Sequence, residues 1–298
     1  MTSRRAICVS RDRNLRGAVE PALASAGVAV EHCDDVPGDT RGAVLVVIDR
    51  ATRQAAGDGL GAIAAPVVIV GDDLDDDGVI AAMLDAPVSH LVTDPSDRDL
   101  GITSAKLASG DLFGLEKYLD LSPGLGPGLG PAVTERTVTG DPDKRAAIGA
   151  VCAWAEAIGA RRPLVHRLAS VVDELLMNAL YDTPAIRTSV PRAVLRWGAD
   201  DRVIAISVGD AFGALRQRDV IDHVRRARRE RGRPRSEAGA GRGAGIGLYL
   251  VLGNVASLVV NVEAGKRTEV VCLFDRTTPG RPAAACARSL HVFRSAAP

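Results

Sequence analysis

Residues 174–179 read Glu-Leu-Leu-Met-Asn-Ala, and the stretch around them carries a clear helical pattern. Across residues 163–182, apolar residues recur at spacings of three and four, as in a helix with one buried face: Leu164, Leu168, Val171, Val172, Leu175 and Ala179. Glu174 and Asn178 are four residues apart, so a helix places them on one face, beside the apolar stripe. Thr183-Pro184 ends the predicted helix, because the residue before a proline avoids helical backbone.

Three further short motifs follow this helix. Asp210-Ala-Phe-Gly213 comes directly after a predicted strand, residues 203–208. Gly243-Ala-Gly245-Ile-Gly247-Leu248 precedes a predicted helix, and glycines before a helix N-terminus expose backbone N–H groups to an anion. Thr268 begins the last predicted strand of this region. The chain lacks a G-x-x-x-x-G-K-[ST] motif, which excludes a P-loop, and no strand directly precedes the glycines, which argues against a dinucleotide-binding fold.

The order of these pieces resembles the GHKL superfamily of ATPases, which includes gyrase, heat-shock chaperone, histidine kinase and mismatch-repair types. The resemblance covers about residues 133–276. Residues 174–179 resemble the family's N box, residues 210–213 its adenine-binding D-x-x-G motif, and residues 243–248 its G-x-G-x-G-L lid hinge. The family's fold, an α+β two-layer sandwich (the Bergerat fold) that binds ATP with Mg²⁺, is therefore expected here.

The resemblance implies a role for each of these residues. Asn178 would provide an oxygen ligand to Mg²⁺, which takes few protein ligands besides phosphates and water. Glu174 would act as a general base toward a water or a hydroxyl. Asp210 would accept a hydrogen bond from the adenine amino group, Gly213 would let the backbone approach the base, and Thr268 would lie near the adenine. The phosphates would lie against the hinge residues Gly243, Gly245, Gly247 and Leu248.

A histidine kinase needs a phosphoacceptor histidine on a helix pair before its ATP-binding domain, and a Gly/Pro-rich stretch occupies that position here. The compact order of strand, helix and N-box helix resembles more closely the anti-sigma-factor serine kinases. Those proteins bind a sigma factor or phosphorylate a small antagonist protein on serine. Two classes of function stay open: a protein serine/threonine kinase or ATPase, which the retained Glu174 favours, and a non-catalytic module whose partner surface depends on ATP. A sigma factor, an antagonist-like protein and a second copy of the chain are the candidate partners.

Seven arginines lie within residues 223–235, HVRRARRERGRPR, where the family has its ATP lid. Three interpretations stay open: a lid whose arginines reach phosphates, a solvated helix, and a basic surface from Arg225 to Arg235. Such a surface would bind the acidic N-terminal half or nucleic acid, as in a transcription-linked regulator, although a formal net charge of zero disfavours nucleic acid. Because residues 219–243 have almost no apolar residues after Val224, we expect them to be mobile without nucleotide.

The first hundred residues alternate apolar strands with stretches long enough for helices. This pattern favours a flavodoxin-like, doubly wound parallel sheet of five βα units, with strands at residues 6–9, 28–31, 43–48, 67–70 and 88–92. It resembles the receiver domain of bacterial response regulators, with Asp49 at the phosphoacceptor position. The rest of that site is degraded, because Ser10-Arg11-Asp12 leaves at most one carboxylate for a metal, Gly71 replaces a Thr/Ser, and Asp94 replaces a Lys. Since phosphoryl transfer needs a metal and cations, we expect that Asp49 is not phosphorylated.

The predicted organisation has two domains and a linker. Residues 1–100 form the receiver-like domain, residues 101–132 a helix (102–121) and a Gly/Pro-rich linker, residues 133–278 the ATP-binding domain, and residues 279–298 a tail. The linker SPGLGPGLGP, residues 122–131, breaks both helix and strand. Within the tail, residues 290–293 are expected to add a strand. The acidic run Asp72 to Asp77 is interpreted as a loop that supplies carboxylates to a helix N-terminus.

Composition limits the function classes further. Residues 1–110 carry 10 Lys or Arg and 17 Asp or Glu, so the remaining residues carry 27 and 20 of the 37 each in the chain, and the two halves differ in sign. Five scattered cysteines without a CxxC pair exclude a zinc ribbon and argue against a disulfide scaffold. No apolar run approaches the roughly 18 residues that span a bilayer. We therefore expect a bacterial protein of the cytoplasm, with no membrane partner.

Overall fold

The computed structural model describes residues 4–72, 74, 76–84, 87–95, 98–120, 133–181, 192–231, 247–276 and 287–295. The chain divides into two compact units. The first comprises Met1–Leu112 with Arg288–Phe293, and the second comprises Phe113–Ala287 with Arg294–Pro298. Both contain helices and strands, so the α/β class expected from the sequence is confirmed.

Five parallel strands form the centre of the first unit. Strands β1 to β5 are Arg5–Val9, Ala29–Cys33, Ala43–Asp49, Val67–Val70 and Val88–Val92, and helices α1 to α4 are Arg13–Ser25, Arg50–Ala56, Asp77–Ala82 and Arg98–Ser109. The strands are ordered β2-β1-β3-β4-β5, and neighbours run parallel. One difference from five βα units is that residues 34–42, all described, connect β2 to β3 without a helix. Their Val-Pro-Gly-Asp sequence favours turns instead.

Strands β1, β3, β4 and β5 are largely apolar runs that are buried on both faces, whereas the edge strand β2 is largely exposed. On one side, α1 and α4 pack together over alternate strand residues, in a cluster that includes Cys8, Val47 and Leu100. Intervening strand residues such as Ile7 and Ile69 are buried as well. Strand geometry turns them to the opposite face of the sheet.

The predicted helix over residues 102–121 is wrong in its second half. α4 ends at Ser109, and Gly110 follows with a φ of 72°, a left-handed conformation that suits glycine and terminates helices. A short 3-10 turn, Leu115–Tyr118, comes next. Apolar spacing had suggested one continuous helix, but Leu112, Leu115 and Leu119 are buried from this irregular backbone instead.

The second unit has a five-stranded sheet with helices packed on it. Strands β6 to β10 are Thr134–Val138, Ala193–Ala199, Val203–Asp210, Ser257–Glu263 and Arg267–Asp275, and helices α5 to α8 are Asp141–Ala157, Arg162–Tyr181, Gln217–Arg231 and Gly247–Asn254. The strand order is β9-β10-β8-β7-β6. Each adjacent pair is antiparallel.

α6 is the central helix of the second unit, in contact with α5, α8, β7 and β8. Every residue of the expected apolar stripe is buried, which confirms the helical periodicity: Leu164, Leu168, Val171, Val172, Leu175 and Ala179. The 3-10 turn Leu115–Tyr118 also contacts β7 and β8. The residues just after Leu112 therefore belong to the core of the second unit.

A last strand, β11 (Ser289–Ser295), returns to the first unit and pairs antiparallel with β5. Ser289 lies opposite Val92, and His291 lies opposite His90. The expectation that residues 290–293 add a strand is confirmed, and Arg288–Phe293 belong to the first unit. Within the described ranges, none of the helices combines the length and the apolar character needed to cross a bilayer.

Candidate functional site

Asp210 is half-buried at the carboxyl end of β8. Its Oδ1 accepts a hydrogen bond from the backbone N–H of Phe212 at 2.8 Å. Burial raises the pKa of Asp210, while the backbone N–H groups of Phe212 and Gly213 oppose that rise. A carboxylate held at a strand end and partly removed from water is a strong acceptor for a ligand N–H group.

Thr268 is the direct neighbour of Asp210 across the β8–β10 pair and is 3% exposed. Its hydroxyl is close enough to favour the charged form of Asp210 and so to lower the pKa of that carboxyl. Within the described part of the chain, however, Thr268 Oγ1 makes no hydrogen bond of ordinary geometry. A buried polar group without a partner costs about 1–3 kcal/mol. Such a group indicates a bound water or a ligand site.

The loop after Asp210 is shaped by Gly213, whose φ of 60° is left-handed. A Cβ here would lie 2.1 Å from the carbonyl oxygen of Glu263, in the turn between β9 and β10, so only glycine fits. The Gly213 carbonyl also accepts a hydrogen bond from the Gly265 N–H at 3.3 Å. The resemblance to GHKL proteins implies that this glycine lets the backbone approach the base. The structure gives it a role that needs no ligand, which is to hold the loop against the β9–β10 turn.

Glu174 and Asn178 lie on α6, both half-buried at the margin of its apolar stripe. α6 contacts β8, the strand that leads into the D-x-x-G loop, and α8, the helix that begins at Gly247. Lys144 of α5 pairs with Asp173 of α6 at 2.8 Å and fixes the helix from its outer side. Glu174 and Asn178 are therefore carried by the helix that contacts two of the three other motif-bearing elements, β8 and α8.

Only part of the glycine motif is described, because Gly243 and Gly245 lie outside the described residues. Gly247 is the first residue of α8, and Leu248 is buried. Val251 is buried one turn later. The described part of the motif is thus a helix N-terminus anchored in the core of the unit.

The arginine-rich stretch begins in α7. Val220, Ile221 and Val224 are buried, and α7 contacts α8. The start of the stretch that we expected to be mobile is therefore packed in a helix, which differs from that expectation. Of the solvated-helix interpretation of residues 223–235, the helix is found as far as Arg231. Residues 232–246 lie outside the described residues, and the lid and basic-surface interpretations stay predictions.

Asp49, at the phosphoacceptor position of receiver domains, caps α2. Its Oδ1 accepts a hydrogen bond from the Thr52 N–H at 2.7 Å, and its Oδ2 accepts one from the Ser10 hydroxyl. The residue is 8% exposed. Oδ1 therefore serves as the N-cap, which stabilises the start of the helix, and Oδ2 is held by Ser10. A cleft of about 610 Å³ lies alongside, between α2 and the loops after β1 and β2.

Asp72 is the buried centre of an ion-pair network. It accepts hydrogen bonds from Arg50 Nε at 2.5 Å and from Arg53 Nε at 2.8 Å, and Arg53 also pairs with Asp76 at 3.2 Å. Asp76 caps α3, which confirms the interpretation of this acidic run at that residue. Sequence reasoning missed Arg53, although its place one turn after Arg50 was an available signal. No group of three or more His, Cys, Asp or Glu side chains that could hold a metal ion occurs among the described residues.

A second buried polar cluster, also in the first unit, was not foreseen. Lys106 of α4 is 1% exposed, and its Nζ lies 3.8 Å from the ring centroid of Phe293. His90 and His291 face each other across the β5–β11 pair, with their Nδ1 atoms 3.3 Å apart. Burial lowers the pKa of both histidines. The alternation His291-Val-Phe293 indicated this cluster only weakly, because the residues that it contacts, His90 and Lys106, lie about two hundred residues earlier in the chain.

Comparisons with known proteins leave the family of this chain open. No protein-family model matches it, and no curated protein matches it. Among solved structures, the chain is similar to a GCN5-related glucosamine N-acetyltransferase region in a fungal multi-domain GH3 β-N-acetylglucosaminidase, with 8% sequence identity and a TM-score of 0.27. The match covers 70% of this chain and 24% of that one, so the chain spans about a quarter of that protein's length. A score this low carries no argument about fold or function.

Proposed function

We propose that the second unit binds ATP with Mg²⁺ and that the protein uses this nucleotide in bacterial signalling in the cytoplasm. The proposed architecture is a GHKL-type two-layer sandwich in the second unit and a flavodoxin-like, receiver-related fold in the first. The antiparallel sheet in contact with α6 supports the former. The strand order β2-β1-β3-β4-β5 supports the latter, because it is the flavodoxin-like order.

The observation that carries the proposal is the pair Asp210 and Thr268. A carboxylate whose pKa is raised by burial lies beside a buried hydroxyl that favours its charged form but makes no hydrogen bond of ordinary geometry among the described residues. Adenine offers the complementary groups on one edge, an amino group that donates and a ring nitrogen that accepts. Asp210 would accept the amino N–H, and the Thr268 hydroxyl would serve the ring nitrogen directly or through a water.

The other motif residues would hold the phosphates and the metal. Asn178 would supply an amide oxygen to Mg²⁺, a cation that prefers oxygen ligands and keeps several waters. Backbone N–H groups at the start of α8, together with Gly243 and Gly245, would bind phosphate oxygens. Bound Mg-ATP supplies a transferable phosphoryl group. Glu174 would accept the proton of the attacking hydroxyl or water.

The acceptor would be a serine or threonine of a protein partner, by analogy with the anti-sigma-factor serine kinases that the sequence resembles. A sigma factor or a small antagonist-like protein fits that analogy. Phosphoryl transfer is favoured over binding alone, because Glu174 is retained and half-buried on the helix that also carries Asn178.

Isothermal titration calorimetry with ATP and MgCl₂ tests the nucleotide site. Asp210→Asn should weaken binding by about 10- to 150-fold, because a hydrogen bond to a charged group contributes about 1.5–3 kcal/mol. Asp201→Asn, at an exposed position in the β7–β8 turn, is the matched control and should bind as the wild type does. Equal ATP affinity of Asp210→Asn and the wild type would contradict this placement of the adenine site.

Two further variants test the metal role of Asn178 and the catalytic role of Glu174 separately. Asn178→Ala should lose more affinity for Mg-ATP than for ATP in EDTA, and equal losses would count against the metal role. Phosphate release by the wild type that disappears in Glu174→Gln would support catalysis. ATP binding with no turnover in either protein would instead assign the unit to the non-catalytic class.

A further inference from the structure

Residues 113–120, called here the connecting segment, directly follow Leu112 of the first unit and belong to the second unit. Two of the residues that contact this segment, Arg267 and Glu269, are the direct neighbours of Thr268 on β10. We propose that the connecting segment is coupled to the nucleotide site, so that bound nucleotide tightens the segment and loss of the segment's contacts weakens nucleotide binding. This inference rests on the ATP binding proposed above, and it gives that site a mode of regulation.

The first link is a buried, hydrogen-bonded carboxylate. Glu269 of β10 is 8% exposed, and its Oε2 accepts hydrogen bonds from the Gly114 N–H at 3.0 Å and from Asn261 Nδ2 at 3.0 Å. Asn261 lies opposite Glu269 on β9 and is fully buried. Because a buried charge is costly unless its hydrogen bonds are made, the positions of Gly114 and β10 are tied together.

Glu269 directly follows Thr268 on β10. The residue that binds the connecting segment and the residue in the proposed site therefore lie on the same strand. Alternate residues of a strand point to opposite faces, so Thr268 serves the site on one face while Glu269 binds the connecting segment on the other. Both residues pair with the same end of β8, Thr268 opposite Asp210 and Glu269 opposite Gly209. A ligand that shifts or immobilises β10 at Thr268 therefore acts on Glu269 as well.

The second link runs through the β9–β10 turn. The guanidinium carbon of Arg267 lies 3.8 Å from the ring centroid of Phe113, a cation–π contact. Arg267 Nε also pairs with Glu263 at 3.0 Å. The backbone of Glu263 is the surface against which Gly213 packs. Phe113 is thus connected, through two side chains, to the loop that follows Asp210.

The far end of the connecting segment has contacts of a different kind. Glu116 pairs with Arg196 of β7 at 3.1 Å, and the Asp120 N–H donates to Asp200 at 2.8 Å. Arg196 lies opposite Ser207, and Asp200 lies near the beginning of β8, at the other end from the proposed site. These contacts hold the segment on the sheet, and neither of them involves the β9–β10 turn or the start of β10. Glu116 is therefore the matched control position.

Hydrogen–deuterium exchange and calorimetry on the full chain test the coupling. In the wild type, ADP or ATP with Mg²⁺ should slow amide exchange in the peptide that contains Gly114 by about fivefold or more. Because the coupling is reciprocal, Phe113→Ala and Glu269→Gln should each weaken nucleotide binding by about fivefold or more. Glu116→Gln loosens the same segment and should bind nucleotide within about twofold of the wild type.

The outcomes separate this inference from the proposed function. Nucleotide binding by the wild type with unchanged exchange of residues 113–120 would overturn the coupling and leave the proposed function standing. Normal affinity in both Phe113→Ala and Glu269→Gln would do the same. If Glu116→Gln weakened nucleotide binding as much as Phe113→Ala and Glu269→Gln do, the effect would come from general loosening of the segment. That result would also overturn the two links. A wild type that binds no nucleotide would remove both the function and the coupling.

Discussion

Replacing Thr268 with valine should make the free protein more stable and a poorer nucleotide binder. Valine has nearly the shape of threonine and suits a strand, but it lacks the hydroxyl that is buried without a partner among the described residues. Removing an unsatisfied buried polar group recovers about 1–3 kcal/mol. The hydroxyl's favourable effect on the charged form of Asp210 offsets part of this gain. We therefore expect the free energy of unfolding without nucleotide to rise by about 1 kcal/mol.

With nucleotide bound, the effect of the substitution becomes unfavourable. The valine would leave a polar group of the base or its water unpaired, which costs about 1–3 kcal/mol, or about a 5- to 150-fold loss of affinity. Urea unfolding followed by circular dichroism gives the free energy of unfolding, and calorimetry with ADP and Mg²⁺ gives the affinity. Thr134→Val, at an exposed position on β6, is the control and should change either quantity by no more than about 0.5 kcal/mol.

Two results would refute this reasoning in different ways. A Thr268→Val protein that is less stable than the wild type by about 1 kcal/mol or more would show that the hydroxyl has a partner in the free protein. A more stable variant with unchanged nucleotide affinity would keep the structural argument but remove Thr268 from the proposed site.

Burial also makes the first unit acid-sensitive. It lowers the pKa of His90, and that of His291 to about 4, so the fold favours their neutral forms. This stability is complete above the ordinary histidine pKa of about 6.5 and is lost as the pH falls toward 4; a fall in the protection factors of the β11 amides, which correct for the slower intrinsic exchange at acid pH, measures the loss, and His291→Phe should reduce it. Gly213→Ala should lower the free energy of unfolding by more than about 2 kcal/mol, because both its φ and its Cβ conflict with the structure. Gly149→Ala, in α5 with open space around an added Cβ, should instead raise it by about 0.5–1 kcal/mol, and equal effects would refute the role given to Gly213. Acetyl phosphate with Mg²⁺ should leave Asp49 unmodified by mass spectrometry, since one of its oxygens caps α2 and the other is hydrogen-bonded by Ser10, and a phosphate found there would restore a working receiver site.

Elements with a clear period were predictable from the sequence to within a residue or two. α6 was predicted over residues 163–182 and is Arg162–Tyr181, and β4 and β5 match their predicted bounds. A helix with one buried face requires apolar residues at spacings of three and four, and buried parallel strands require continuous apolar runs. The same reasoning failed beyond Ser109, because the leucines there are buried from irregular backbone after a left-handed Gly110.

Contacts between distant residues were beyond a sequence-only argument. Motifs singled out both Asp210 and Thr268, but the burial of the Thr268 hydroxyl depends on the register of two antiparallel strands. Glu269 and Asn261 carry no motif, and strand pairing alone brings them together. The roles of Glu174, Asn178 and the glycine motif stay predictions, because they depend on a nucleotide and on residues outside the described ranges.

The position of β11 makes the first unit discontinuous along the chain, with consequences for its synthesis. β5 is translated long before β11, since the paired residues His90 and His291 are 201 positions apart. Throughout that interval β5 is the open edge of a parallel sheet, and open edges recruit strands from other chains. A gene fragment that stops at Leu112 would keep that edge permanently and should be prone to self-association. An isolated first unit therefore has to carry residues 287–295, joined by circular permutation or added as a peptide in trans.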